Sequence, residues 1–461
     1  MSDGRPRARR GALRAVRFPL AALALAALTI AVARADWLQP DPTLRDAQLQ
    51  LREATRDTVG HADDAARLDT LGVALLRLGR GPDARKLFTR VLALKPGDPS
   101  ALAGLGKLAL FDNHLAEAES LLTAAGNVEE GTIADLYSTR LRRGEWADAA
   151  RLAEDADDAG RASLLENLAE APPFQIVSPP KEVSLMWSRS YPVPLVSVRL
   201  NGEVVLMALD TGASDLLIDP MWASRANVTK LPGQSLAFWC GSRFAVKNAI
   251  VQKLEINGIK IERIPAGILS LHKWSIEVNP TGEQVAGVIG LNLLRRFTPT
   301  IDYKRKRLEL RPLEGGVAAA AGPDAIRVPF ELWGECELMV RGTVGGSRKM
   351  AMVVQTGVPG CGFAAPNEVF EELGLKGGAI SKFMKSMGTI MQGRPWVGVT
   401  VPSITVGRMV TDHVAGWSNA MDSAEMWRHG VRRDAILAGE FFENTRITID
   451  WAKQELVLEQ F

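Results

Sequence analysis

The chain has 461 residues, of which 46% are hydrophobic and 23% charged, a balance that excludes wholesale disorder and leaves length for about three domains. The formal net charge is +2, with much of the basic surplus at the extreme N-terminus, so the folded part lacks the electrostatic footprint of a nucleic-acid binder and no nucleic-acid partner is expected. Three cysteines, Cys240, Cys336 and Cys361, are too few for a disulfide framework; a Cys336–Cys361 bond and buried free thiols both stay open.

Six arginines between Arg5 and Arg17 precede an apolar run from Phe18 to Ala33. The run is shorter than the ~20 residues of a comfortable membrane span, and Ala31-Val32-Ala33 and Ala33-Arg34-Ala35 fit a small-x-small cleavage site. A cleavable signal peptide over residues 1–35 is expected, with an uncleaved anchor at 18–33 as the alternative. Either exports everything after Asp36 to a periplasmic or extracellular space.

From about residue 42 to 171 apolar residues fall at helical spacing, and the pattern repeats. Leu71-Gly72 recurs as Leu105-Gly106, Ala84 as Ala118, and Leu87-Phe88 as Leu121-Leu122, each 34 residues on. Lys95-Pro96 and Asp98-Pro99 close the first unit, because proline lacks the N–H that would continue a helix. The step from Gly79 to Ala84 is echoed by Gly144 to Ala149, with Trp146 expected between helices. The segment resembles tetratricopeptide repeats, which implies helical hairpins serving as a partner groove or as a packing platform. Pro172-Pro173 and Pro179-Pro180 bracket an expected linker at 172–182.

After Lys181 short Val, Ile and Leu runs broken by Gly, Pro and Asn predict strands and turns. Val198–Leu200, the Asn201-Gly202 turn and Val204–Leu209 predict a hairpin whose second strand runs into Asp210-Thr211-Gly212-Ala213-Ser214. Val288-Ile289-Gly290 and a helix-like 291–297 follow, then Thr300-Ile301-Asp302-Tyr303, a basic turn and Leu308–Leu310; Phe238–Ser242 is a candidate flap. A second copy places Met350–Val354 before Gln355-Thr356-Gly357, Gly407 for Gly258, Gly439 for Gly290 and Ile449-Asp450-Trp451 for Ile301-Asp302-Tyr303. The interval between the two glycines, 258 to 290 and 407 to 439, is 32 in both copies.

This pattern resembles retroviral-type aspartic proteases, duplicated into lobes at 183–315 and 325–461. The resemblance implies a multidomain chain, α-helical hairpins followed by an all-β two-lobed domain. It assigns Asp210 the catalytic role, Thr211, Gly212 and Ser214 the support of its loop, and Gln355, Thr356 and Gly357 a degenerate second site. Ser214 is expected to brace the loop by hydrogen bonding, and Thr211 and Thr356 to grip each other.

Such proteases use two carboxylates that share one proton, one acting as base on water and the other as acid toward the scissile carbonyl. Gln355 neither titrates nor splits the pKa of its partner. Three readings follow: a symmetric dimer that restores the pair from two copies of Asp210, a peptidase working through Asp210-activated water with Gln355 assisting, or a degenerate fold that binds peptide without cutting. The resemblance favours an exported aspartic-type peptidase acting on polypeptide, with a protein partner at the helical repeats; the alternative is the peptide-binding module. An open cleft beneath a closed flap would favour the enzyme, and a cleft filled by its own side chains the binder. The five histidines show no metal-ligand spacing and read as surface or loop residues, most tryptophans read as core, and neither metal nor cofactor is expected.

Overall fold

Repeated caps start the repeated helices. Asp64 Oδ1 accepts hydrogen bonds from the Ala66 and Arg67 N–H groups to open Ala65–Arg77, and Asp98, thirty-four residues on, accepts from Ala101 N–H to open Pro99–Phe111. In this computed structural model, which describes residues 43–461 except 128–129, 157, 179–181, 281, 314–321 and 379, each such helix pairs with a second, Gly81–Leu94 and Leu115–Ala125. The expected signal or anchor segment and Pro179-Pro180 lie outside the described residues. Small residues recur because the helices cross at them: a Cβ on Gly72 would sit 2.7 Å from Phe88 Cε1, and one on Gly106 2.7 Å from Leu122 Cγ. The intervening turns need left-handed backbone, supplied by Gly79, Asn113 and Gly144 at φ +74°, +57° and +75°. Glu130–Arg143 and Trp146–Asp155 form the third pair, and Ala159–Glu170 follows. Trp146 opens its helix and packs, half-buried, beside Leu141 and Leu165.

The β-rich part is two six-stranded barrels of identical topology. In the first, Leu195–Leu200 and Glu203–Leu209 form the expected hairpin, with Asn201 at φ +48° and Gly202 at +95°. Glu203–Leu209 runs parallel to Val285–Ile289, which is antiparallel to Leu216–Ile218, and Ile259–Ile268 and Ser242–Ile256 close the ring. In the second, Glu337–Val344 and Met350–Gln355 form the hairpin, Ala435–Ala438 runs parallel to the latter, and Phe363–Ala365, Met409–Ser418 and Val397–Val406 complete the barrel. The lobes share a third layer in which Thr298–Asp302 pairs antiparallel with Thr445–Asp450 and the Thr300 and Thr448 hydroxyls meet at 2.8 Å.

Three expectations change in detail. The linker is partly strand, since Gln175–Ile176 pairs with Ile261 and Glu262 at the edge of the first lobe. The helix after Gly290 stops at Leu294. Cys240, Cys336 and Cys361 are all buried and free, so the open disulfide question resolves to thiols.

The helices are not a detached spacer, since Leu44–Phe461 is one compact unit. Arg142 donates to the carbonyls of Leu110, Leu332 and Gly334, Lys107 Nζ to the His429 carbonyl at 2.9 Å, and Arg341 Nη1 to the Gly79 carbonyl at 3.1 Å. Phe111 stacks on Trp333 with centroids 4.6 Å apart. Among the described residues no helix is long and apolar enough to cross a membrane.

Candidate active site

Each barrel delivers a loop to the space between the lobes, and the two loops cross-link through their threonines. Thr211 N–H donates to Thr356 Oγ1 at 3.1 Å and Thr356 N–H to Thr211 Oγ1 at 3.2 Å, while the hydroxyls donate onward to the Val354 and Leu209 carbonyls at 2.7 and 3.0 Å. The expected grip is therefore made within one chain. A proton-sharing pair assembled from two copies would require these four buried bonds to break.

The glycines let the loops cross. A Cβ on Gly212 would overlap the Gln355 side chain and one on Gly357 the Asp210 carboxyl, so each lobe's key residue lies against the other lobe's glycine. Beneath them, a Cβ on Gly290 would sit 2.8 Å from the carbonyl oxygens of Ala213 and Ser214, which accounts for the hydrophobic-hydrophobic-Gly element. Ser214 joins the loop to the helix after Gly290 through its backbone, its carbonyl accepting from Asn292 N–H at 2.9 Å.

Asp210 and Gln355 are both fully buried. Asp210 Oδ1 accepts from the N–H groups of Gly212 at 2.7 Å and Gly357 at 3.0 Å, whereas Asp210 Oδ2 and both ends of the Gln355 amide have no hydrogen-bond partner among the described residues. Burial pushes the Asp210 carboxyl up to about 6, opposed by the two backbone bonds and by the Trp239 indole, which lies close enough to favour the anion without making a well-formed hydrogen bond. A carboxylate of that pKa can act as a general base near neutral pH. Gln355 can orient a water or donate to a carbonyl, and it cannot act as the acid.

The flap is the hairpin Thr229–Trp239 and Ser242–Ile256, turning at Cys240 and Gly241, and it is shut. Gln392 Nε2, from a helix of the second lobe, donates to the carbonyls of Cys240 at 2.9 Å and Ala420 at 3.3 Å. Arg243 pairs with Glu425 at 2.6 Å, and Cys240 Sγ reaches the Gly357 carbonyl at 3.5 Å. Trp239 and Cys240 of the flap and Val358, Trp396 and Met421 of the second lobe belong to one buried apolar cluster. At its base Asn248 Nδ2 donates to the Gly160 carbonyl at 2.6 Å, tying the flap to the helices.

With this geometry stand the sequence comparisons. Residues 196–293 match the family model described as aspartyl protease, and residues 75–138 match a tetratricopeptide repeat model. The chain joins tetratricopeptide repeats to a two-lobed, aspartyl-protease-like domain. An aspartic proteinase from Irpex lacteus overlies this aspartyl-protease-like chain across 61% of its length and 97% of its own, at 10% identity and TM-score 0.39. Conglutin gamma, a basic 7S globulin of lupine seeds, does so across 61% and 95%, at 12% identity and TM-score 0.36. Among curated proteins no sequence matches.

Asp210, Thr211, Gly212, Gln355, Thr356 and Gly357 are thus brought together as the sequence predicts. Gln392 was not foreseen, and a lone Gln late in a helix gives no signal of its role. Trp239 was legible only as part of the candidate flap Phe238–Ser242.

Proposed function

We propose that the chain is an exported, catalytically silent protein of the aspartyl-protease fold whose role is to bind polypeptide. The observation that carries this reading is the seated flap: Asp210 and Gln355 are sealed beneath Trp239 and Cys240, and the space a substrate would need is filled by the protein's own side chains. Gln355 removes the acid, and the flap removes access. Recognition then falls to the cleft between the repeats and the second lobe, about 340 Å³, which Val73, Leu76, Phe88, Ser100 and Lys107 line together with Arg428, His429 and Gly430. The arginine-rich, apolar N-terminus supports export.

A single-carboxylate peptidase is the second reading, favoured by the near-neutral pKa of Asp210 and its unpartnered Oδ2. In it Asp210 takes the proton of a water attacking the peptide carbonyl, and the Gln355 amide N–H steadies the oxyanion. Hydrolysis of a peptide library between pH 4 and 8, compared with Asp210→Asn, separates the two. We expect no cleavage above the variant's background, together with binding of unfolded polypeptide that Ser100→Trp abolishes by filling that cleft. Cleavage lost on Asp210→Asn would replace the first reading with the second.

A further inference from the structure

Behind the Asp210 loop, where the third helix pair meets the first lobe, lies a cavity of about 190 Å³ lined by five arginines, Arg142, Arg143, Arg161, Arg295 and Arg296, with apolar walls that include Trp146 and Phe174. Its charges do not cancel. Arg161 is answered by Asp215 at 3.3 Å and Glu335 at 2.8 Å, and Arg142 spends its donors on backbone carbonyls. Among the described residues Arg295 and Arg296 have no carboxylate partner: Arg295 lies toward the Trp451 ring at 5.9 Å, and Arg296 over Phe174 at 4.5 Å with its Nε buried and without a hydrogen bond. Arg143 is paired away from the cavity, with Glu119 at 3.1 Å and Glu145 at 2.6 Å, and the other four guanidiniums against two carboxylates leave two positive charges in a largely desolvated space.

We propose that this junction is a binding pocket for a doubly charged oxyanion of the phosphate class. Guanidiniums present paired N–H donors that match phosphate oxygens, and a dianion supplies the missing countercharge. The volume is about six times the ~30 Å³ of a water molecule in the liquid, which admits a phosphate and the first atoms of an ester group against the aromatic walls. The strain of the uncompensated state shows in the lowered pKa of Arg142, to about 9, and of Arg296, to about 10; desolvation is the first cause in both and the charge of Arg295 the next. The inference is independent of whether Asp210 is catalytic.

The test is calorimetric titration of the full chain at low ionic strength with inorganic phosphate and, in a parallel arm, phenyl phosphate, against a sodium chloride blank. Saturable binding weakened tenfold or more in the Arg295→Gln/Arg296→Gln variant is expected. Equal affinity in both arms identifies free phosphate as sufficient, and preference for the ester identifies a phosphorylated molecule as the source. The double variant should also melt above the native chain in phosphate-free buffer, because it deletes two unpaired charges. No saturable heat in either arm, binding unchanged in the variant, or a variant that melts lower would each overturn the proposal.

Discussion

Replacing Asp210 by asparagine keeps the acceptor that Gly212 and Gly357 require and removes the charge that burial opposes. The folded carboxyl stands at about 6 against an ordinary 3.8. Below pH 3.8 it is protonated in both folded and unfolded chains and costs nothing; between the two values the unfolded chain ionises first and the native state loses ground. Above pH 6 the penalty is complete, roughly 3 kcal/mol for about two pKa units. Asp210→Asn should therefore stabilise the protein by about 2–3 kcal/mol at pH 7.5 and by almost nothing at pH 3.5, measured by urea unfolding at both. A variant less stable at pH 7.5 would show that the carboxylate has a favourable partner after all. Gly357→Ala argues the opposite sign. Its new methyl would overlap the Asp210 carboxyl in a packed interior, and a loss of about 3 kcal/mol or more is expected as a lowered melting temperature.

The flap tip is held by Gln392, by the Arg243–Glu425 pair and by the Cys240 thiol on the Gly357 carbonyl, few enough contacts to test one at a time. Gln392→Ala deletes the donor to the Cys240 and Ala420 carbonyls, at an expected cost of about 1–3 kcal/mol. Hydrogen exchange at residues 238–244 should quicken while the core strand Glu203–Leu209 stays protected. Uniform acceleration in both strands would mean the flap is not a separate opening unit. The same element marks how far the sequence could be read. Both barrels were legible because their turns and crossings rest on local chemistry: Asn201-Gly202 for a left-handed hairpin turn, Gly212 and Gly357 for loops that pass through one another's space, and a 34-residue beat of Gly72 and Gly106 for helix crossings. The shut flap was not, because Cys240 meets Gly357, Gln392 and Ala420 more than a hundred residues away, and no local pattern records such a meeting. The Arg295 and Arg296 pocket was hidden likewise, since its walls come from the helices and the first lobe, with Glu335 from the second.

At the scale of the whole molecule, the repeats are fastened to both lobes by contacts that bury polar groups. Arg142 alone serves carbonyls of a repeat helix at Leu110 and of the second lobe at Leu332 and Gly334. Lys107 and Arg341 add further bonds across the same boundary, and the Phe111–Trp333 stack fills the space between them. A module held in this way cannot unfold without exposing the apolar face of the lobe it covers, so the native chain should melt in a single transition. Arg142→Ala leaves three partly buried carbonyls without their donor, a loss of about 3 kcal/mol or more if each retains even the low end of an unsatisfied group's cost. Because that cost falls on the boundary, calorimetry should show the one transition broadening or dividing, with the helices melting first. Lys86→Ala is the control: its ion pair with Asp83, at 3.9 Å on an exposed helix face, should change stability by less than about 0.5 kcal/mol. If Arg142→Ala merely lowers a still single transition, the boundary is secured by its apolar contacts and Arg142 only adds to them.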